Sequence, residues 1–156
     1  ANRIWLGRKS AFGAMGQIAD YMCLDGTIPV NKLPYVLKCI GEMSKTYGLS
    51  VANVFHAGDG NMHPLILYDA NKPGELTKCE EFGAEILRLC VEVGGCLTGE
   101  HGVGIEKREL MDYQFTADDI DAQLRIKDVF DSKWLLNPLK VFPLHHTEAR
   151  RMAFNC

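Results

Sequence analysis

The 156-residue sequence has no CxxC pair, no basic stretch and no apolar run of membrane length, and each absence removes a class of protein. The six cysteines, at 23, 39, 79, 90, 96 and 156, are scattered. Four of them fall at apolar positions of helical or strand-like segments, where a thiol packs as a small hydrophobe; this pattern predicts a reduced, cytoplasmic setting. Lys plus Arg number 17 against 20 for Asp plus Glu, a net charge of -3 with no cluster to neutralise a phosphate backbone, so nucleic acid is excluded as a partner. The longest apolar runs, such as residues 65–68, fall far short of the roughly 20 residues a spanning helix needs, which leaves at most peripheral docking at the inner membrane. No GK[ST] follows any glycine-rich stretch, so there is no phosphate loop. Internal repeats and low-complexity segments are also absent. The chain opens on Ala1 with no signal pattern behind it, as the tail of a longer polypeptide would.

The length suits a single domain, 1–156, able to bury a core without staples. Residues 25–30 (DGTIPV) read as a short strand. They precede a helix over about 32–47, in which Leu33, Val36, Leu37, Ile40 and Met43 recur at helical spacing, with Asn31 as cap and Gly48 as stop. Residues 51–57 and 62–68 are apolar and partly β-branched around GDGN, the pattern of a hairpin. A second helix over about 75–93 ends at Gly94-Gly95 and is followed by a short extended piece, CLTGE. Strand, helix, strand, strand, helix, strand is the split βαβ plan of ferredoxin-like α+β domains with an antiparallel sheet. Thr116 and Asp119 form a capping-box pattern opening an additional helix to about Phe130, after which LLNPLKVFP predicts an extended, proline-marked tail. His145 and His146 read as solvated residues of that tail.

The chemistry concentrates in HAGDGNMH, residues 56–63. A four-residue loop over 58–61 would set His56 opposite His63 on one face of the sheet, with β-carbons about 5 Å apart, close enough for two imidazoles to share a divalent ion. GEHGVG, residues 99–104, supplies a further carboxylate and imidazole. Two histidines, a carboxylate and an open position make up a catalytic zinc site. Adjacent residues of extended chain point to opposite sides, which assigns Glu100 to the metal and His101 to proton transfer, a task suited to an imidazole near neutrality. Gly99, Gly102 and Gly104 let backbone approach a flat ligand. Arg8 has the planar fork that grips a carboxylate, although taken alone it reads more readily as an exposed surface arginine. The same donors also describe a metal-dependent hydrolase, a reading disfavoured by the lack of a further carboxylate base. The outer helical faces allow a third reading, a non-catalytic docking domain.

HAGDGNMHP, GEHGVGIEK and LLNPLK, with DGTIP ahead of them, together resemble the C-terminal half of the FAD-linked oxidases of the vanillyl-alcohol oxidase superfamily, in the branch that oxidises small 2-hydroxy acids. The resemblance spans about residues 5–143. It implies that an FAD-binding N-terminal half, outside this sequence, holds most of the FAD, and that this part caps the flavin and shapes the substrate pocket; the fragment alone is then inactive. It also implies a short 2-hydroxy acid substrate, glycolate or D-lactate, with D-2-hydroxyglutarate as the alternative, and electron-transfer sister subunits as partners. On this resemblance His56, His63 and Glu100 are ligands to a divalent metal, zinc, and His101 is the base that takes the hydroxyl proton. Arg8 holds the substrate carboxylate, while Asn137, Lys140 and Gly102 lie near the flavin. Leu139 departs from the family, whose members usually read LNPGK there.

Overall fold

The computed structural model describes residues 2–152 and forms two compact units divided between Gly99 and Glu100. In the first, helices α1 (Asn2–Lys9) and α2 (Ala11–Met15) precede strands β1 (Asp20–Cys23) and β2 (Gly26–Thr27), helix α3 (Leu33–Tyr47), strands β3 (Val51–His56) and β4 (Asn61–Tyr68), and helix α4 (Glu75–Glu92). Strand β4 is central: β3 pairs along one edge, β1 and then β2 along the other, all antiparallel. Cys96 bridges Thr27 at the outer edge, also antiparallel. With β1 and β2 counted as one interrupted strand, the lateral order is that of the split βαβ plan, so the α+β reading holds. Three details differ from expectation. The first strand begins at Asp20, the extended piece after α4 contributes a single bridge, and the first long helix opens through a 3-10 turn, Val30–Lys32, instead of on an Asn31 cap.

The core lies where α3 and α4 cover the sheet. Val36 and Ile40 of α3 and Cys79, Phe82, Ile86 and Cys90 of α4 are buried at the 3.6 period that turns one helix face inward, while the central strand β4 is buried without a break from Asn61 to Ile66, Met62, Leu65 and Ile66 among them. Tyr47 stacks on Phe82, with ring centroids 5.0 Å apart. Burial pushes the thiol of Cys79 up to about 11 and that of Cys90 up to about 12, so both stay protonated and act as the small hydrophobes their positions suggested. Cys23, Cys39 and Cys96 form no disulfide among the described residues; Cys156 lies outside the described residues. Among the described residues, no helix is long and apolar enough to cross a membrane.

The second unit holds a 3-10 turn (Arg108–Leu110) and helices α5 (Met111–Gln114), α6 (Ala117–Phe130) and α7 (Leu144–Met152). The capping box is present, with Thr116 and Asp119 each accepting from the other's backbone N–H. The expected extended tail is instead a series of turns. Asp131 accepts from the N–H groups of Leu135 and Leu136 and from Lys127 Nζ, and these bonds, the one from Lys127 first, hold its carboxyl below the usual range. Trp134, Asn137, Leu139 and Val141 all take positive φ. Asparagine tolerates that region, but leucine and valine do not. Leu139 thus occupies, at φ 63°, a left-handed position of the kind glycine fills without a steric penalty.

Leu139→Gly is expected to stabilise the second unit by about 0.5–1 kcal/mol: it removes a left-handed penalty of about 1–2 kcal/mol and adds glycine backbone entropy of about 0.5–1 kcal/mol. Urea unfolding followed by Trp134 fluorescence in a Trp5→Phe background measures this, and a fall in the midpoint would refute it.

Candidate functional site

The hairpin between β3 and β4 closes one residue earlier than the sequence suggested. Gly60 takes φ +72°. The N–H groups of Asp59 and Gly60 both donate to His56 O at 3.0 and 3.1 Å, so the loop is residues 57–60 and His56 pairs with Asn61, while His63 pairs with Val54. The expected direct pairing of the two histidines is therefore corrected to a diagonal one, two residues out of register and on the same sheet face. The imidazoles still meet, with centroids 5.4 Å apart and planes at 84°. Gly60 admits no other residue, because a β-carbon there would fall 2.0 Å from Ile28 O.

His63 is buried, and its Nδ1 lies 3.0 Å from Leu24 O. A carbonyl only accepts, so Nδ1 carries a proton, and a backbone carbonyl orients the ring as it does in a metal-ligating histidine. The chain makes that carbonyl available through a proline. Leu24 stands opposite Pro64 in the continued β1–β4 register and donates its own N–H to Pro64 O at 3.0 Å. Proline has no N–H to return, so Leu24 O is left for the imidazole. Phe12 of α2 meets the His63 ring edge-on, with centroids 6.5 Å apart.

Arg8, on α1, reaches the same place, its guanidinium Nη2 3.5 Å from His56 Nδ1. Arg8 is exposed and His56 half-buried. An always-charged fork beside paired imidazoles favours an anion between them.

Asp25 is a site residue that the sequence reading passed over. Fully buried, it accepts from Thr98 Oγ1 at 2.6 Å and from Gly99 N–H at 3.0 Å, with one carboxylate oxygen 4.0 Å from His63 Nδ1. Gly99 N–H is shared with Asp25 O at 2.8 Å. The residue after this anchor in the chain is Glu100. The signal available in the sequence was an aspartate just inside a strand that otherwise reads as apolar. Asn61 was also missed: its side chain packs against Gly99, and its buried Oδ1 finds no hydrogen-bond donor among the described residues.

In the second unit Glu100 and His101 are exposed and open the glycine loop, where Gly102 and Gly104 take φ of 81° and 55°. That loop is tied to the LNPLK stretch, since Val141 N–H donates to Gly104 O at 2.8 Å and Arg108 Nη1 to Leu139 O at 2.7 Å. Asn137 and Lys140 are exposed on this stretch. Lys107, in the same motif, is buried and was not singled out beforehand.

The family described as FAD linked oxidases, C-terminal domain, matches residues 1–141, and the chain belongs to that family. It is 57% identical over 145 residues to the protein named glycolate oxidase subunit GlcD in Escherichia coli (strain K12), covering 92% of this chain and 29% of that one. A Bacillus subtilis (strain 168) protein of the same name is 35% identical over 136 residues, covering 86% of this chain and 29% of its own length. The mitochondrial D-lactate dehydrogenase [cytochrome] of Kluyveromyces lactis is 31% identical over 126 residues, 81% of this chain and 21% of that protein. The chain thus spans less than a third of the length of these relatives.

The geometry predicts that metal-free His63 is the Nδ1–H tautomer, which long-range 15N–1H correlation spectra would show directly. Pro64→Ala gives Leu24 O a ladder donor to compete for it and should populate the Nε2–H form. A wild-type His63 found protonated at Nε2 would contradict the assignment.

Proposed function

We propose that this chain is the cap and substrate domain of a longer FAD-dependent 2-hydroxy acid oxidoreductase that converts glycolate or D-lactate to the 2-oxo acid. The observation that carries the reading is the His56–His63 pair, with the His63 ring oriented through Nδ1 by Leu24 O and Arg8 beside it. Two imidazoles and a cationic fork match the hydroxyl and the carboxylate of one small substrate. The names of the bacterial relatives favour glycolate over D-lactate as substrate, with D-2-hydroxyglutarate the alternative within the family.

In this reading His56, His63 and Glu100 hold a divalent cation, zinc by donor type. Arg8 fixes the substrate carboxylate through its fork, releasing its long contact with His56. His101 takes the proton from the substrate hydroxyl at an imidazole nitrogen. Asn137, Lys140 and Gly102 face the flavin, which the missing N-terminal half binds. When bound, the cation acidifies the α-hydroxyl and the flavin accepts hydride from the substrate carbon. Burial of His63 and its fixed ring keep one face of the pocket dry and oriented. Sister electron-transfer subunits would take electrons onward, and the holoprotein would work in the cytoplasm or at the inner face of the membrane.

The longer polypeptide should absorb near about 450 nm, as a flavoprotein does, and bleach when glycolate or D-lactate is added without oxygen. His101→Asn should slow that bleaching by about 10²–10⁴-fold, the range a positioned base contributes, with the resting spectrum unchanged. The joint His56→Ala and His63→Ala variant should lose one equivalent of bound zinc. A colourless polypeptide indifferent to both acids would remove the oxidoreductase reading.

A further inference from the structure

We propose that Asp112, His145 and His146 form a divalent-cation site within the second unit, which clips helix α7 to the turn at α5. The three side chains come from two elements, Asp112 from the first turn of α5 and the histidines from the first turn of α7. Each offers one ligand atom, and these atoms all lie within 4.8 Å of one another. His146 Nε2 is 2.8 Å from Asp112 Oδ1, and His145 Nε2 is 3.3 Å from Oδ2. The imidazoles lie with centroids 4.2 Å apart and planes at 39°.

Two imidazoles and one carboxylate are the donor set of a borderline divalent metal such as zinc, with a fourth position open to water. The spacing also suits an ion. Metal–ligand bonds of about 2.0–2.1 Å to a tetrahedral centre put neighbouring donors about 3.3 Å apart. The His145 contact has that separation, while the His146 contact, at 2.8 Å, has the length of a charge-assisted hydrogen bond and would lengthen by about half an ångström around an ion. Adjacent helical residues normally diverge by about 100° around the axis, yet both Nε2 atoms turn to a single carboxylate. The histidines ride on a fixed turn: Thr147 next to them is buried, its Oγ1 donates to Leu144 O at 2.9 Å, and His146 N–H donates to Pro143 O at 3.1 Å. Partial exposure of Asp112 and His145 gives an ion its entry path.

The test is zinc titration of the chelator-stripped full chain against a competing chromophoric chelator, with equivalents counted by native mass spectrometry and Co²⁺ absorption reporting coordination geometry. Asp112→Ala and the joint His145→Ala, His146→Ala variant should each remove one equivalent relative to wild type. In the joint His56→Ala, His63→Ala background one equivalent should remain, and adding Asp112→Ala should weaken it by more than the about 10–100-fold that loss of an outer-shell partner costs. Circular dichroism checks that each variant is folded, and Asp112→Asn, nearly identical in shape, repeats the comparison if Asp112→Ala is not. Equal zinc uptake with and without the Asp112 carboxylate, or no zinc left once His56 and His63 are removed, would overturn the proposal. Absence from the wild-type chain of any equivalent that depends on His56 and His63 would count against the cap-domain reading and leave this site intact.

Discussion

The imidazole of His63 is oriented by a hydrogen bond that exists because another is missing. A proline in a central strand withholds one ladder donor, and the orphaned carbonyl of Leu24 takes the ring proton instead. That single substitution of partner fixes the ring on the face where His56 and Arg8 also arrive. It also interrupts the edge strand between β1 and β2, and in the gap sits the buried carboxylate of Asp25. Asp25 then gathers Thr98 and Gly99, which fixes where the chain leaves the sheet just before Glu100. Backbone accounting and side-chain chemistry are thus the same problem here: a buried polar group must find a partner, and the partners found are those of the site.

The long elements were legible because their periods are strong. The apolar positions of α3 and α4 repeat every three or four residues, the hairpin is flanked by two apolar runs, and the Thr116–Asp119 box marks its helix unambiguously. The pairing register was not legible, since GDGN fits a loop starting at either residue; what decides it is Gly60, the residue able to take a left-handed conformation against Ile28 O. The segment after α6 misled for a related reason. Proline and scattered apolar residues suggest extension, but the carboxylate of Asp131, accepting from Leu135 and Leu136 N–H, and the ammonium of Lys127, donating to Leu136 O, fold the backbone back into turns. His145 is exposed and His146 half-buried, in keeping with the solvated reading, but they belong to a helix whose first turn faces Asp112 and not to an extended tail.

For the site, motif reading found His56 and His63 but not Asp25 or Asn61. The histidines announce themselves by chemistry. The others act by position: a carboxylate that is valuable because it is dry, and an amide valuable because it lies against a glycine. Such roles follow from three-dimensional contacts between residues about 35 to 75 apart in sequence, which no local pattern encodes.

The run of left-handed residues at 134, 137, 139 and 141 carries one more implication. Backbone energy retained there is released when the segment opens, so it should open at a lower cost than the helices on either side, and amide protons within it should exchange with solvent while those of α6 remain protected. A strip of chain that loosens independently beside the glycine loop, tied to it through Gly104 and Arg108, gives this surface a means of adjusting its shape to whatever packs against it without disturbing the helical scaffold.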